Sequence, residues 1–396
     1  MGQVKKFSPT ILYPVMLVSG MVLIFPGPIL DSLIHKFEIS KSVAGRLPFL
    51  FFVGGFFGLL FMSELARLIG TKRTFLFALA LSSLSLALLG LAWSFNLILP
   101  LFFLCGFANN ILFGLPGAIT TRHSEKNTGA SVTYLYAFFS IGVTAGPIVS
   151  IAILRKGLGY QAVLFQLSVL NLLVWLWVLS RRFPELEAIE GMSLRGISGL
   201  LQKNRLLFIL LLLGQFFYVG AEQGVSVWVP KFWLDKFPSQ SLQSAGLLLS
   251  GIWLMLSLGR FFFGWLSKYI DRRVILISLA ILSALTSGAS ALIQEPILCA
   301  IFYLCFGLGM SGIYPLLVSY ADGFPAQYIS MGLALILALS SLGGAIGSFP
   351  VGILAETYSF SIAMLYPSLL LVLLAFIFPL LKNAYSKNSP SSKPSA

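Results

Sequence analysis

This sequence encodes an all-α membrane protein, with twelve transmembrane helices in two six-helix halves. Composition is the first reason. Of 396 residues, 58% are hydrophobic and only 10% are charged, whereas a soluble domain carries about a quarter charged residues. Such a chain cannot cover itself with polar surface, so its outer solvent is lipid. Segment length is the second reason. One helical crossing takes about 20 apolar residues, and twelve runs of that order follow one another along the chain. Spanning strands are about 10 residues long and alternate in polarity, which these runs do not. The third reason is an internal repeat, which emerges once the spans are laid out.

Span one, 10–34, follows Lys5 and Lys6 and contains FPGPIL. Spans two and three, 43–63 and 74–95, are joined by SELARLIGTKR. Span four, 97–120, holds FFLCGF, Asn109, Asn110 and FGLPG; span five, 129–153, holds GVTAGP; span six is 161–180. Residues 181–205, RRFPELEAIEGMSLRGISGLLQKNR, form the longest and most densely charged loop and read as a linker. Its SLRGISGLL portion suits a short amphipathic helix in the membrane interface. Span seven, 206–230, runs LLFILLLLGQFFYVGAEQGVSVWVP. Spans eight and nine, 245–267 and 274–293, are joined by GWLSKYIDRR. Span ten, 297–320, contains FYLCFG and GIYP, and spans eleven and twelve are 331–354 and 361–381. The expected organisation is a first half (1–180), a cytoplasmic linker (181–205), a second half (206–381) and a polar, disordered tail (382–396).

A net charge of +13 raises the question of a nucleic-acid partner. The basic residues are not gathered on one face, however, but fall in alternate loops. With the N-terminus inside, 18 Lys and Arg lie in inside segments, 7 in outside loops, counting Arg46 in the first turn of span two, and Arg260 alone lies deep within a span. That bias puts both termini in the cytoplasm and accounts for the charge by topology. The expected location is a plasma membrane, the inner membrane in a bacterium. Cys105, Cys299 and Cys305 all fall within spans, so no extracellular disulfide framework is implied.

The two halves echo each other. SELARLIGTKR and GWLSKYIDRR begin at Ser63 and Gly264, 201 positions apart, and close on Lys72–Arg73 and Arg272–Arg273. Cys105 and Cys305, 200 apart, sit in FFLCGF and FYLCFG ahead of Pro116 and Pro315. A duplicated six-span unit is the plan of many secondary transporters, whose site lies between the halves near the midplane.

With SELARLIGTKR and LGRFFFGWLSKYIDRR, the six-plus-six plan resembles the major facilitator superfamily. More narrowly, AFFSIGVTAGP (137–147), FFYVGAEQGVSVWVP (216–230) and FGLGMSGIYPLL (306–317) resemble the branch of fucose and glucose–galactose proton symporters. The resemblance implies alternating access and a sugar carried with protons, or with sodium. It has departures: Arg67 and Lys268 stand where the family's loop has other residues, and Asp31 matches no acid of the fucose symporters.

Glu222, 16 residues into span seven, is the leading candidate. An acid near the bilayer centre costs about 2.5–3.5 kcal/mol on insertion scales, so such residues face a cavity or a partner. A carboxyl withdrawn from water favours its neutral form, so one alternately exposed and enclosed can carry a proton. Its alternative role is a protonated glutamate bonded to a neighbouring helix. Gln215, Tyr218 and Glu222 share one helical stripe. With Gln223, Trp228, Asn109 and Asn110 they offer the amides, carboxylate and aromatic face that a sugar needs. Each also suits an interhelical bond, and Trp228, near a span end, suits an interfacial anchor. Arg260, near the inner end of span eight, can snorkel or pair with an acid such as Asp271 as a gate, roles favoured over substrate binding, with Glu64, Arg67 and Arg73 as the first-half counterparts. FPGPIL, FGLPG, GVTAGP and GIYP are each expected to interrupt a helix.

Enzyme chemistry finds no support. His35 and His123 lie in loops on opposite sides, no nucleophile–base–acid pattern occurs, and no phosphate-cradling GxxxxGK[ST] is present. The expected partners are a small solute, its coupling ion and the lipid bilayer, with no nucleic acid and no cofactor, the chain acting as a monomer. GVTAGP also resembles an element of drug–proton antiporters, which keeps proton-coupled efflux of amphipathic compounds as the alternative.

Overall fold

The computed structural model of the chain describes residues 8–123, 128–184 and 194–386. Among them the first span is a bent pair, α1 (Tyr13–Ile24) and α2 (Pro26–Phe37), inclined to each other by 41°. A single turn, α3 (Lys41–Ala44), leads into α4 (Arg46–Ile69). Then come α5 (Thr71–Leu91), α6 (Phe95–His123), α7 (Thr128–Arg155) and α8 (Gly159–Leu179). The second half comprises α9 (Leu194–Lys236), α10 (Leu242–Leu266), α11 (Arg272–Leu292), the broken pair α12 (Pro296–Ser311) and α13 (Ile313–Ser319), α14 (Ala326–Thr357), one-turn α15 (Phe360–Ala363) and α16 (Leu365–Ser386). Eleven spans are long and apolar enough to cross a membrane, and the bent α1–α2 pair brings the number to twelve. This is the all-α architecture expected.

Close helix approach explains why these helices pack as they do. A side chain on Gly106 of α6 would strike the Phe51 carbonyl of α4, and one on Gly307 of α12 would strike the Ile252 carbonyl of α10. Gly142 of α7 meets the Leu17 carbonyl of α1 in the same way, and Gly343 of α14 meets that of Phe216 in α9. Small residues let membrane helices approach until their backbones touch, where dispersion is strongest. Gly106 and Gly307 stand 201 positions apart, as do Phe51 and Ile252, and Gly142 and Gly343. The repeat therefore recurs as matching packing contacts, α4–α6 with α10–α12 and α1–α7 with α9–α14. The halves meet along α4–α14 and α7–α10, where Ser341 Oγ donates to the Phe52 carbonyl at 2.9 Å.

Two expected interruptions occur and two do not. The first span bends after Phe25, and the tenth divides at Gly312. Pro116 and Pro147, by contrast, lie inside continuous helices α6 and α7. A proline removes one backbone bond, but packed neighbours hold such a helix on course. Of the expected linker, residues 185–193 lie outside the described residues. The stretch after them begins α9 and leaves helical geometry at Asn204 (φ −134°, ψ 29°). Leu200 is fully buried and Asn204 Nδ2 donates to the Gly323 carbonyl at 3.2 Å, so this stretch packs on protein rather than lying free in the interface. The expected tail from 382 begins within α16, which runs to Ser386.

Candidate transport site

Twelve crossings return the chain to the end of the bundle from which it started, here the terminal end; the other is the far end. At the far end a charged cluster joins the halves. Lys231 Nζ lies 2.6 Å from Asp31 Oδ1 and 2.7 Å from Asp235 Oδ1, and Lys41 Nζ lies 3.0 Å from Asp235 Oδ2. The Lys41 backbone N–H donates to Glu356 Oε2 at 2.9 Å. The Lys231 side chain is only 10% exposed, and breaking a buried pair leaves an uncompensated charge. The loop charges that sequence reasoning read as topology signals thus also fasten α2 and α3 to α9 and α14. The Ser226 carbonyl lies against Gly27, and Phe49 and Phe349 rings meet 5.4 Å apart. Among the described residues, every ion pair that joins the two halves lies at this far end.

Below this seal a cavity of about 680 Å³ lies between the halves. Its lining begins near Leu23 and Phe52 and reaches Val132 and Thr133 in the first turns of α7, toward the terminal end. The far end is closed, and from beneath it the lining runs toward the terminal end along α7 and α10.

The stretch YVGAEQG of α9 brings Tyr218, Glu222 and Gln223 into this cavity. Tyr218 lies one turn before Glu222 on the same face, and its hydroxyl donates to Glu222 Oε1 at 2.5 Å. Gln223 Nε2 donates to Glu222 Oε2 at 3.1 Å, so each carboxyl oxygen accepts a bond. Glu222 is 8% exposed and Gln223 2%. From the first half come Asn109 and Asn110 of α6. Asn110 Nδ2 bonds the Gly106 carbonyl at 3.1 Å, while the buried Asn109 Oδ1 has no hydrogen-bond partner. Five of the expected site residues therefore share one cavity.

Two do not. Gln215 is buried two turns from Glu222, outside the cavity lining, with neither amide atom bonded. The neighbouring Gly214 packs against Leu317, so α13 covers α9 at this level. Trp228 is fully buried in the far-end seal, its Nε1 donating to the Ser348 carbonyl of α14 at 2.7 Å. It is neither a sugar platform nor an interfacial anchor, but a fastening between helices.

The expected gate at the terminal end is also rearranged. Asp271 caps α11, its Oδ1 accepting from the Arg273 backbone N–H at 2.7 Å, and does not pair with Arg260. Glu64 and Arg67 pair with each other one turn apart on an exposed face, which ties no two helices together. Arg73 is exposed. Arg260 instead lines the central cavity, its Nη1 donating to Ser140 Oγ of α7 at 3.4 Å. It lies within electrostatic reach of Glu222, Tyr218, Tyr136 and Tyr314. The sequence places it toward the end of span eight, with seven residues left to 267; the cavity extends far enough toward that end to include it. Tyr136, Trp253 and Tyr314 also line the cavity and were not singled out. Tyr314 stood within the quoted GIYP, whose proline drew the attention.

Comparison with known proteins agrees with this architecture. The sequence profile of the Major Facilitator Superfamily matches residues 12–327 and 239–395. The chain belongs to the Major Facilitator Superfamily. It is thereby a multi-pass transport protein of that superfamily rather than an enzyme. It is 24% identical over 310 residues to a TsgA homolog of Edwardsiella ictaluri, covering 76% of each chain. It is 24% identical over 344 residues to the glucose/mannose transporter GlcP of Bacillus subtilis, covering 84% of each. Among solved structures, an inward-facing bacterial homolog of the human lysosomal transporter Spinster superposes with a TM-score of 0.81. That match has 13% identity and covers 97% of this chain and 98% of that one. At that identity the likeness shows the superfamily fold.

Proposed function

We propose that this protein is a secondary active transporter that moves a monosaccharide by proton symport, exposing the central cavity alternately to each side of the membrane. The observation that carries the proposal is the Tyr218–Glu222–Gln223 cluster facing that cavity. A carboxyl in a cavity that opens and closes is the simplest device for coupling a proton to a solute. Asn109, Asn110 and Gln223 supply amides for hydroxyls, and Trp253, Tyr136 and Tyr314 supply faces for the C–H side of a sugar ring. The likeness to GlcP, itself described as a glucose/mannose transporter, supports the sugar. Both termini are taken to be cytoplasmic, on the distribution of basic residues, which makes the closed far end the outer one.

The test is uptake into proteoliposomes under an imposed proton gradient. The wild type accumulates hexose above equilibrium. Glu222→Gln inserts normally yet only equilibrates it. Accumulation at the wild-type level by Glu222→Gln would refute the coupling role.

One observation favours the alternative, proton-coupled efflux of amphipathic compounds. The lining residues Ile141, Ile148, Leu254 and Phe261 are 43–62% exposed along the α7–α10 seam. A solute with an apolar body could enter there from the lipid. Gradient-driven expulsion of a lipophilic cation, with no hexose uptake, would select this reading.

A further inference from the structure

Arg260 is an uncommon choice for a cavity that carries only a sugar. Among the residues lining the cavity, only Arg260 and Glu222 bear formal charge. They do not form an ion pair: no carboxylate of a described residue lies within 4 Å of the Arg260 guanidinium. The Glu222 oxygens are already occupied by Tyr218 and Gln223. Arg260 bonds Ser140 Oγ at 3.4 Å and lies against the Tyr218 hydroxyl, while its Nε is buried without a hydrogen-bond partner. A guanidinium carries five N–H donors in a planar fork that fits a carboxylate bidentately. Ser140 and Tyr218 do not exhaust that capacity, and the residue lines the cavity.

We propose that Arg260 receives the carboxylate of a monoanionic solute, which on the monosaccharide reading above is a sugar acid, a hexonate or hexuronate. Arg260 stands on α10 of the second half and Ser140 on α7 of the first. A carboxylate held there lies between the halves, next to Glu222.

Charge balance then sets the coupling. In the empty site an ionised Glu222 offsets Arg260. When the monoanion binds, it takes over that role, and Glu222 accepts one proton. The site is neutral in both conditions, and a neutral site is the form that crosses a low-dielectric barrier at least cost. A phosphate dianion would leave one negative charge over, which selects against sugar phosphates. One proton accompanies one monoanion, so transport is electroneutral.

The test compares glucose, gluconate, glucuronate, glucose 6-phosphate, octanoate and the lipophilic cation tetraphenylphosphonium on the purified protein, by thermal stabilisation and by uptake into proteoliposomes. The expected result is that gluconate or glucuronate binds more tightly than glucose and glucose 6-phosphate does not bind. Their uptake follows the proton gradient but is indifferent to a potential imposed with potassium and valinomycin. In Arg260→Gln, affinity for the acid falls on the order of 30-fold, the worth of a charged hydrogen-bonded contact, and that for glucose is unchanged. Arg260→Lys, which keeps the charge but not the fork, recovers part of the loss. The comparison of ligands on the wild type needs no variant, so misfolding of Arg260→Gln cannot hide the answer. Glucose bound as tightly as its acids, or the acids bound equally by wild type and Arg260→Gln, overturns the anion site and leaves the sugar reading standing. Octanoate bound through Arg260 with no sugar bound keeps the anion site and overturns the sugar reading. Binding of lipophilic cations alone overturns both.

Discussion

Trp228 and Gln215 illustrate how one helix divides its labour residue by residue. Both lie on α9 with Glu222, yet they stay out of the cavity that Tyr218, Val219, Glu222 and Gln223 line. Trp228→Phe removes the side-chain donor to the Ser348 carbonyl, and one lost hydrogen bond costs about 0.5–1.5 kcal/mol. A lower thermal midpoint with unaltered solute selectivity is the expected outcome; altered selectivity would return Trp228 to the site. Glu222 was legible in the sequence because a charge in an apolar run is expensive and draws the eye. Arg260 drew it equally, but its partner was not legible: Asp271 caps α11 instead, and whether Arg260 faces the cavity depends on how the halves are placed. Trp253 and Tyr136 gave no such signal: aromatic residues are common in these spans, and only tertiary placement separates lining from packing.

At the scale of elements, the order, number and length of the spans were readable from hydropathy, because a bilayer sets the length of every crossing. The prolines misled. Pro116 and Pro147 stay within helices, since whether a proline breaks a helix depends on neighbours that sequence does not name. Glycines divide in the same way, and the division is testable. A Cβ on Gly106 meets the Phe51 carbonyl, which is backbone and cannot swing aside, whereas one on Gly264 meets nothing within 4 Å. Gly106→Ala is expected to lose about 1–3 kcal/mol, the usual range for overpacking, and Gly264→Ala to change stability little. Denaturation of the two purified variants side by side measures the difference; equal midpoints would contradict the close packing of α4 on α6.

Across the whole molecule, a closed far end describes one state of a pair. Cysteines at Phe49 and Phe349, whose rings meet across the halves, should be joined by a short bifunctional thiol reagent in a background lacking Cys105, Cys299 and Cys305. Transport should then stop and return when a cleavable linker is cut; undiminished flux in the linked protein would mean that the far end need not open. The internal repeat was legible as a spacing of 201, but its physical content, backbone pressed on backbone at equivalent places, was not. That content has a consequence for ancestry and for engineering. The two halves share a scaffold, whereas the carboxylate and the guanidinium of the cavity both come from the second half, on α9 and α10. At the position matching Arg260, 201 residues earlier, stands Leu59, which also lines the cavity. Two copies of the first half, joined head to tail, would inherit the packing and the shape of the chamber. They would enclose tyrosines and amides without either charge, and under the proposed coupling would let a solute equilibrate rather than accumulate.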